Sequence, residues 1–211
     1  MNLPKLFKSF FVVLLMVMAI DNFSQKKKDV LSRKDNSHIG EVDKRISKLC
    51  KKINFMKDYY TTSSCSGRIL LMMDIEEKRE WLFLKMYHDK VSFKELKKEL
   101  NLLKVKWHKG IIKFKQESCI LHISCKSLED AKKIYELAKI SGFKRIGLVA
   151  WGKNFILEIS STEKLEFPIM KNGNILISDE FLKLVVKQAN KKLGKSWGKI
   201  DKLSSILQEY A

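Results

Sequence analysis

The sequence predicts an α+β fold in which a largely antiparallel or mixed sheet is built from hairpins and covered by packed helices. Three observations carry that expectation. Short apolar or alternating runs come in neighbouring pairs. Stretches with helical periodicity and capping residues separate those pairs. Neither Gly-x-Gly-x-x-Gly nor Gly-x-x-x-x-Gly-Lys-Ser/Thr occurs, so the phosphate cradle of a Rossmann-type or Walker-type parallel sheet is not signalled.

Taken in order, Asp21 to Lys52 reads as two helices, with Val42, Ile46, Leu49 and Ile53 at helical spacing after the break at Gly40. "TTSSCSGR", Thr61 to Arg68, reads as a hydroxyl-rich loop feeding a buried strand, "RILLMM". "WLFLKMYH" is a second strand. Ser92 and Glu95 form a capping box for a helix whose inner stripe is Leu96, Leu100 and Leu103. "IIKFK" and "CILHISCK" follow as a strand pair. Ser127 and Asp130 open the next helix, with Ala131, Ile134, Tyr135 and Ala138 inward and Gly142 at its end. "IGLVAW" and "FILEIS" make a hairpin across Gly152, Lys153 and Asn154. "KLEFPI" is edge-like, because Pro168 cannot donate to a ladder. Ser178 to Leu193 is one helix, and Ile200, Leu203, Leu207 and Tyr210 mark a separate final one. "ILHIS" at Ile120 and "ILEIS" at Ile156 echo each other, differing only at their central polar residues, His122 and Glu158.

The chain has 211 residues and a formal net charge of +18, which suits a polyanionic partner such as nucleic acid, unless the lysines are simply solvated. "FFVVLLMVMAI" after Lys5 and Lys8 resembles a signal peptide and is too short to span a bilayer. We expect residues 1–17 to be a leader upstream of the true start, at Met16 or Met18, and residues 18–211 to form one α+β domain. Four cysteines without a Cys-x-x-Cys pair suit the cytosol, and no stable membrane partner is expected. Cys119, His122 and Cys125 do not make a metal site, because in a strand the histidine points away from both thiols.

Only five of the 42 basic residues are arginine, and one of them, Arg68, directly follows the hydroxyl-rich stretch. Its planar fork suits a carboxylate or phosphate in a way lysine does not. Ser63, Ser64, Ser66 and Gly67 add hydroxyls and a backbone able to turn amide groups toward an anion; the alternative is a Ser-rich turn whose arginine reaches solvent.

"TTSSCSGR" resembles the Ser-x-Ser-Ser-Cys-x-Gly-Arg signature of the tRNA wybutosine-synthesising protein 3 family, with Thr61 where that family has serine. "KDNSHIGEVDKRI", "ILHISC", "SGFKRIGL", "KLEFPI" and "ISDEFLKLVVKQANKKL" agree with it, from about Phe23 to Leu207. The resemblance implies a non-Rossmann methyltransferase that uses S-adenosylmethionine on a tricyclic guanosine derivative beside the anticodon of phenylalanine tRNA. It implies His122 as the base, with His88 next. It implies Asp35 as the family's aspartate, with Asp43 second and N-capping as the alternative role. Ser63, Ser64, Ser66, Gly67 and Arg68 would hold the cofactor's carboxylate, a tRNA phosphate or the carboxylate of the substrate's side arm. Cys65 reads as packing, and Trp151, at a hairpin tip, as the best placed tryptophan for RNA contact. The competing expectation is a non-catalytic basic module that binds tRNA.

Overall fold

The computed structural model describes residues 22–33, 43–75, 82–152 and 154–209. The leader, Asp35, His38 and Trp81 lie outside them. Helix α1 covers 22–31 and sets Phe23 against Tyr60, ring centroids 5.2 Å apart. Then follow α2 (Lys44–Phe55), β1 (Tyr59–Cys65), β2 (Arg68–Met73), β3 (Phe83–Tyr87) and α3 (Phe93–Lys106). After these come β4 (Ile111–Glu117), β5 (Ile120–Cys125), α4 (Leu128–Ile140), β6 (Arg145–Ala150) and β7 (Phe155–Ser160). The described chain closes with β8 (Leu165–Lys171), β9 (Asn174–Ile175) and α5 (Asp179–Glu209).

Two antiparallel sheets result, ordered β1-β5-β7-β6 and β3-β2-β4-β8-β9. Local chemistry starts the helices as expected. Ser92 accepts from the Glu95 amide while the Glu95 carboxylate accepts from the Ser92 amide, and Ser127 caps α4 by accepting from the Asp130 amide. Leu96, Leu100 and Leu103 are buried on α3; Ala131, Ile134 and Ala138 are buried on α4. One core cluster runs from Ile46 to Leu207, joining inward residues of both sheets (Leu71, Phe114, Ile123, Ile159) to α2, α3, α4 and α5. Each such fully buried side chain contributes about 1.5–3 kcal/mol.

Three expectations are corrected. The hydroxyl-rich stretch is not a loop: Thr61 to Cys65 is the body of β1, paired with β5, and only Ser66 and Gly67 turn. Ladder pairing overrides the turn preference of serine there. The strand pair "IIKFK" and "CILHISCK" does not form, since β4 pairs with β2 and β8 while β5 pairs with β1 and β7. Finally, the last two helices are one continuous helix of 31 residues. Its buried stripe, from Leu182 through Leu193 and Trp197 to Leu207, carries it across Gly194 and Gly198 despite a cost of about 1 kcal/mol each. The edge-like reading of β8 holds over Leu165–Ile169, because β9 covers only Met170 and Lys171, and Pro168 sits at a register shift.

The broken pair has a topological meaning. β1 and β2, β4 and β5, and β7 and β8 are consecutive in the chain, lie in different sheets, and are neighbours in the same order within each sheet. Three strands therefore bend from one sheet into the other, through Ser66–Gly67, Ser118–Cys119 and 161–164. The corners stack. The Ser161 amide donates to the Cys119 carbonyl at 3.2 Å, and Ser161 Oγ meets Ser196 Oγ of α5 at 2.8 Å. Buried Ser66, Ser118 and Ser161 bring polar groups where the ladders stop.

Candidate active site

The outer faces of the two sheets meet along these corners, and a cleft of about 470 Å³ opens there. One wall, from the five-stranded sheet, carries Lys115, Glu117 and Glu166; the other carries Ile120, Arg145, Glu158 and Ser160. Strand alternation puts these side chains outward, opposite buried Phe114, Leu121 and Ile159.

Arg68 is the first residue past the first corner and faces Glu117, the last before the second. Its Nε donates to Glu117 Oε2 at 2.6 Å, its Nη1 lies 3.4 Å from Met86 Sδ, and its guanidinium sits 5.3 Å from the Phe83 ring centroid. Burial works to raise the Glu117 carboxyl, but the hydrogen bond and charge of Arg68, helped by Lys115, outweigh it and hold the group below its ordinary value. The row continues with alternating sign: Lys115 reaches Glu117 at 3.3 Å and Glu166 at 3.8 Å, and Lys113 reaches Glu166 at 3.5 Å and Asp74 at 2.7 Å.

On the other wall, His122 Nε2 and Glu158 Oε2 are 2.9 Å apart. The two residues that differ between the echoed pentapeptides are direct cross-strand partners. Ser63 is the register partner of His122 on its other side and is exposed. His122 and Arg68 thus belong to different sheets, and their carboxylate partners line the same cleft.

Thr62 is also exposed, whereas Thr61, Ser64 and Ser66 turn inward. The Thr61 amide and Oγ1 both donate to Asn54 Oδ1, at 2.7 and 3.1 Å, and Ser64 hydrogen-bonds the buried Cys50 thiol of α2. Ser66, fully buried, donates its amide to Asp43 Oδ2 at 3.0 Å and its hydroxyl to the same oxygen. Asp43 Oδ1 accepts from the Arg45 amide at 3.0 Å, capping α2. Gly67 follows at φ +98°, with no room for a side chain against the second corner. Hence three of the five hydroxyls between Thr61 and Ser66 fasten β1 and its corner to α2 and its cap.

Asp43 leads on to a second histidine. His88 Nδ1 is 3.8 Å from Asp43 Oδ2 and otherwise buried without a hydrogen-bond partner, while His88 Nε2 meets Met86 Sδ at 3.2 Å. Met86 therefore touches both Arg68 and His88. Asp43, Cys65 and His88 each offer one donor atom, all within 4.8 Å of one another, so this is the mixed donor set among the described residues that could share a cation. Burial raises the Cys65 thiol, against the opposing influence of the Gly67 amide and Arg68.

Sequence reasoning passed over Arg145, Glu117 and the pairing of Glu158. Arg145 carried the same signal as Arg68, an arginine in a lysine-rich chain. Glu117 carried none, because its significance comes only from register. Trp151 is 79% exposed at the β6–β7 turn. Among the described residues no helix is long and apolar enough to cross a membrane.

Comparison with known proteins agrees with this architecture. The solved structure of the PH1069 protein from Pyrococcus horikoshii superposes with a TM-score of 0.80 at 35% identity, over 91% of this chain and 97% of that one. A Thermococcus sibiricus protein named tRNA(Phe) 7-((3-amino-3-carboxypropyl)-4-demethylwyosine(37)-N(4))-methyltransferase is 36% identical over 188 residues, 88% of this chain and 93% of its own. The tRNA wybutosine-synthesizing protein 3 homolog of Danio rerio is 34% identical over 89% of this chain and 75% of its own. The profile described as Methyltransferase TYW3 matches residues 25–209, and a purely tRNA-binding module is not favoured by it. An antiparallel fold of bent strands, the hydroxyl-rich signature at its first corner and this match agree: the chain belongs to the methyltransferase TYW3 family.

Proposed function

We propose that the protein transfers a methyl group from S-adenosylmethionine to N(4) of the 7-(3-amino-3-carboxypropyl)-4-demethylwyosine base at position 37 of phenylalanine tRNA, the reaction for which its archaeal relatives are named. It does so as one α+β unit over 18–211, in the cytosol, where four free cysteines persist reduced. The observation that carries the arrangement is a cleft lined by Glu158, the partner of His122, and on its other wall by Glu117, the partner of Arg68.

The cleft suits such a cofactor by charge. Its lining mixes Glu117, Glu158 and Glu166 with Arg145, Lys115 and Lys164, matching a molecule with a cationic sulfonium and an amino-acid carboxylate. When bound, S-adenosylmethionine supplies a methyl group whose departure leaves a neutral thioether. His122, oriented by Glu158, takes the proton that N(4) gives up as the new N–C bond forms. Arg145, exposed and without a carboxylate partner among the described residues, takes the carboxylate of the substrate's aminocarboxypropyl arm. Arg68 and Ser63 border the bound groups, while Ser64, Ser66 and Gly67 hold the corner that places them. Asp35 is assigned to the same site through its segment's resemblance alone. Trp151 stacks on an anticodon-loop base.

The test is methyl transfer from labelled S-adenosylmethionine to phenylalanine tRNA taken from a strain lacking this gene, with fully modified tRNA as control. Label should enter only the undermodified tRNA. His122→Gln should lower kcat by about 10²–10⁴-fold while leaving the tRNA Kd unchanged within about twofold. No label with the native chain overturns the reaction; full activity of His122→Gln overturns the proton acceptor alone.

A further inference from the structure

The charge of +18 is not spread evenly. On the outer face of the five-stranded sheet, lysines alternate with Glu117, Glu166 and Asp74 and are neutralised in pairs. Helices α2 and α5 are different. No Asp or Glu occurs in Lys44–Phe55, and none occurs in α5 from Phe181 to Ile200, where six lysines fall. The helices pack side by side, with Arg45 over Trp197 at 4.4 Å and Lys52 Nζ bonded to the Ser204 carbonyl and Gln208 Oε1 at 2.6 and 2.9 Å. Lys44, Lys48 and Lys51 share one face of α2, and Lys187, Lys191 and Lys195 one face of α5, by their spacing of three and four residues. All six are exposed and have no ion-pair partner among the described residues. From Lys187 to Gln208 the α5 track is about 30 Å long at 1.5 Å per residue, with exposed Asp201 as the one acidic residue within it.

At its end stands an anomaly. Phe55, the last residue of α2, is 91% exposed beside a cavity of about 290 Å³ lined by Lys51, Lys52, Leu207 and Gln208. A bare aromatic ring flanked by ammonium groups offers a π-face to a nucleobase and cations to the phosphates on either side. Leu193, on the buried face of the same helix, lies 3.2 Å from where a side chain on Gly67 would begin, so the helix that carries the track packs with its other face against the first corner.

We propose that the α2–α5 face is the surface along which the phosphodiester backbone of tRNA lies, with Phe55 stacking on an unpaired base. This rests on the tRNA reading above and adds where the RNA sits. Binding of an unmodified phenylalanine tRNA transcript to the full chain, measured across a series of salt concentrations, tests it. Replacing Lys187, Lys191 and Lys195 together by alanine should lower the slope of log K against log salt by about 2–3, since each lost phosphate contact removes about 1. The Lys44, Lys48 and Lys51 triple should do the same. Phe55→Ala should weaken binding about tenfold with the slope unchanged, because stacking releases no counterions. A triple of equal charge on α4, at Lys132, Lys133 and Lys139, should leave the slope alone. Alanine favours helix, so the variants should keep the native melting temperature, which is checked alongside. An equal effect from the α4 triple, or none from the helix triples, overturns the surface while the tRNA reading stands. Phe55→Ala that leaves tRNA binding intact but dissolves a dimer seen by sedimentation overturns the stacking role. Absence of tRNA binding by the native chain overturns both.

Discussion

Gly67→Ala tests whether the stacked corners are as tight as they look. At φ +98° a side chain is strained by about 1–2 kcal/mol. The added Cβ would also lie 2.9 Å from the Glu117 carbonyl oxygen, 3.2 Å from Leu193 Cδ2 and 3.3 Å from the Cys119 nitrogen. Two of those atoms are backbone in the second corner, held by the pairing of Arg68 with Glu117, so they cannot swing aside as a side chain would. Overpacking of this kind costs about 1–3 kcal/mol, and the stiffer unfolded chain returns about 0.4–1. The net loss is roughly 2–4 kcal/mol, or about 5–15 °C in Tm for a chain of this size. Urea denaturation should show a lower midpoint at an unchanged m value. Gly194→Ala is the control: its Cβ meets nothing within 4 Å in the middle of α5, and it should stabilise by about 0.5–1 kcal/mol. A Gly67→Ala protein within about 0.5 kcal/mol of the native one would refute the close approach of the two corners.

Asp43→Ala removes the α2 cap and leaves the buried Ser66 amide and hydroxyl without an acceptor; at about 1 kcal/mol for the cap and 1–3 for the orphaned donors, thermal melting should report a loss of roughly 2–4 kcal/mol. Asp43→Asn, with one acceptor oxygen, should fall in between. Acid should weaken the fold through Glu117. Its carboxyl is held below the ordinary value of 4.5, so the stability it contributes is complete above that value and is lost as pH falls through the lowered folded one. Melting temperature between about pH 5 and pH 3 should therefore fall less steeply for Glu117→Gln than for the native chain. A steeper fall would mean that Arg68 does not stabilise the ionised carboxylate.

Much of the local structure was legible because it rests on short-range chemistry. The capping box of Ser92 and Glu95, the start of α4 at Ser127 and the β6–β7 hairpin each need only residues a few positions apart. The misreadings share a different cause. Serine and threonine in a row look like a turn until a partner strand satisfies their amides, and β5, which does so for β1, lies some sixty residues away. Gly194 looks like a stop until a buried stripe continues on its far side.

The site divides along the same line. By itself the sequence determined which residue types were unusual for their setting: an arginine among lysines, a histidine and a glutamate centred in matching apolar pentapeptides, and a signature shared with a family. The match of those pentapeptides did not say that His122 and Glu158 would face each other at 2.9 Å, because register belongs to pairing rather than to either strand. Only the tertiary structure decided that Arg68 meets Glu117, that Ser66 turns to Asp43, and that the basic helices α2 and α5 lie side by side. Each is a contact between segments far apart in the chain. Its free energy comes from burial and charge pairing that exist only once both segments are in place.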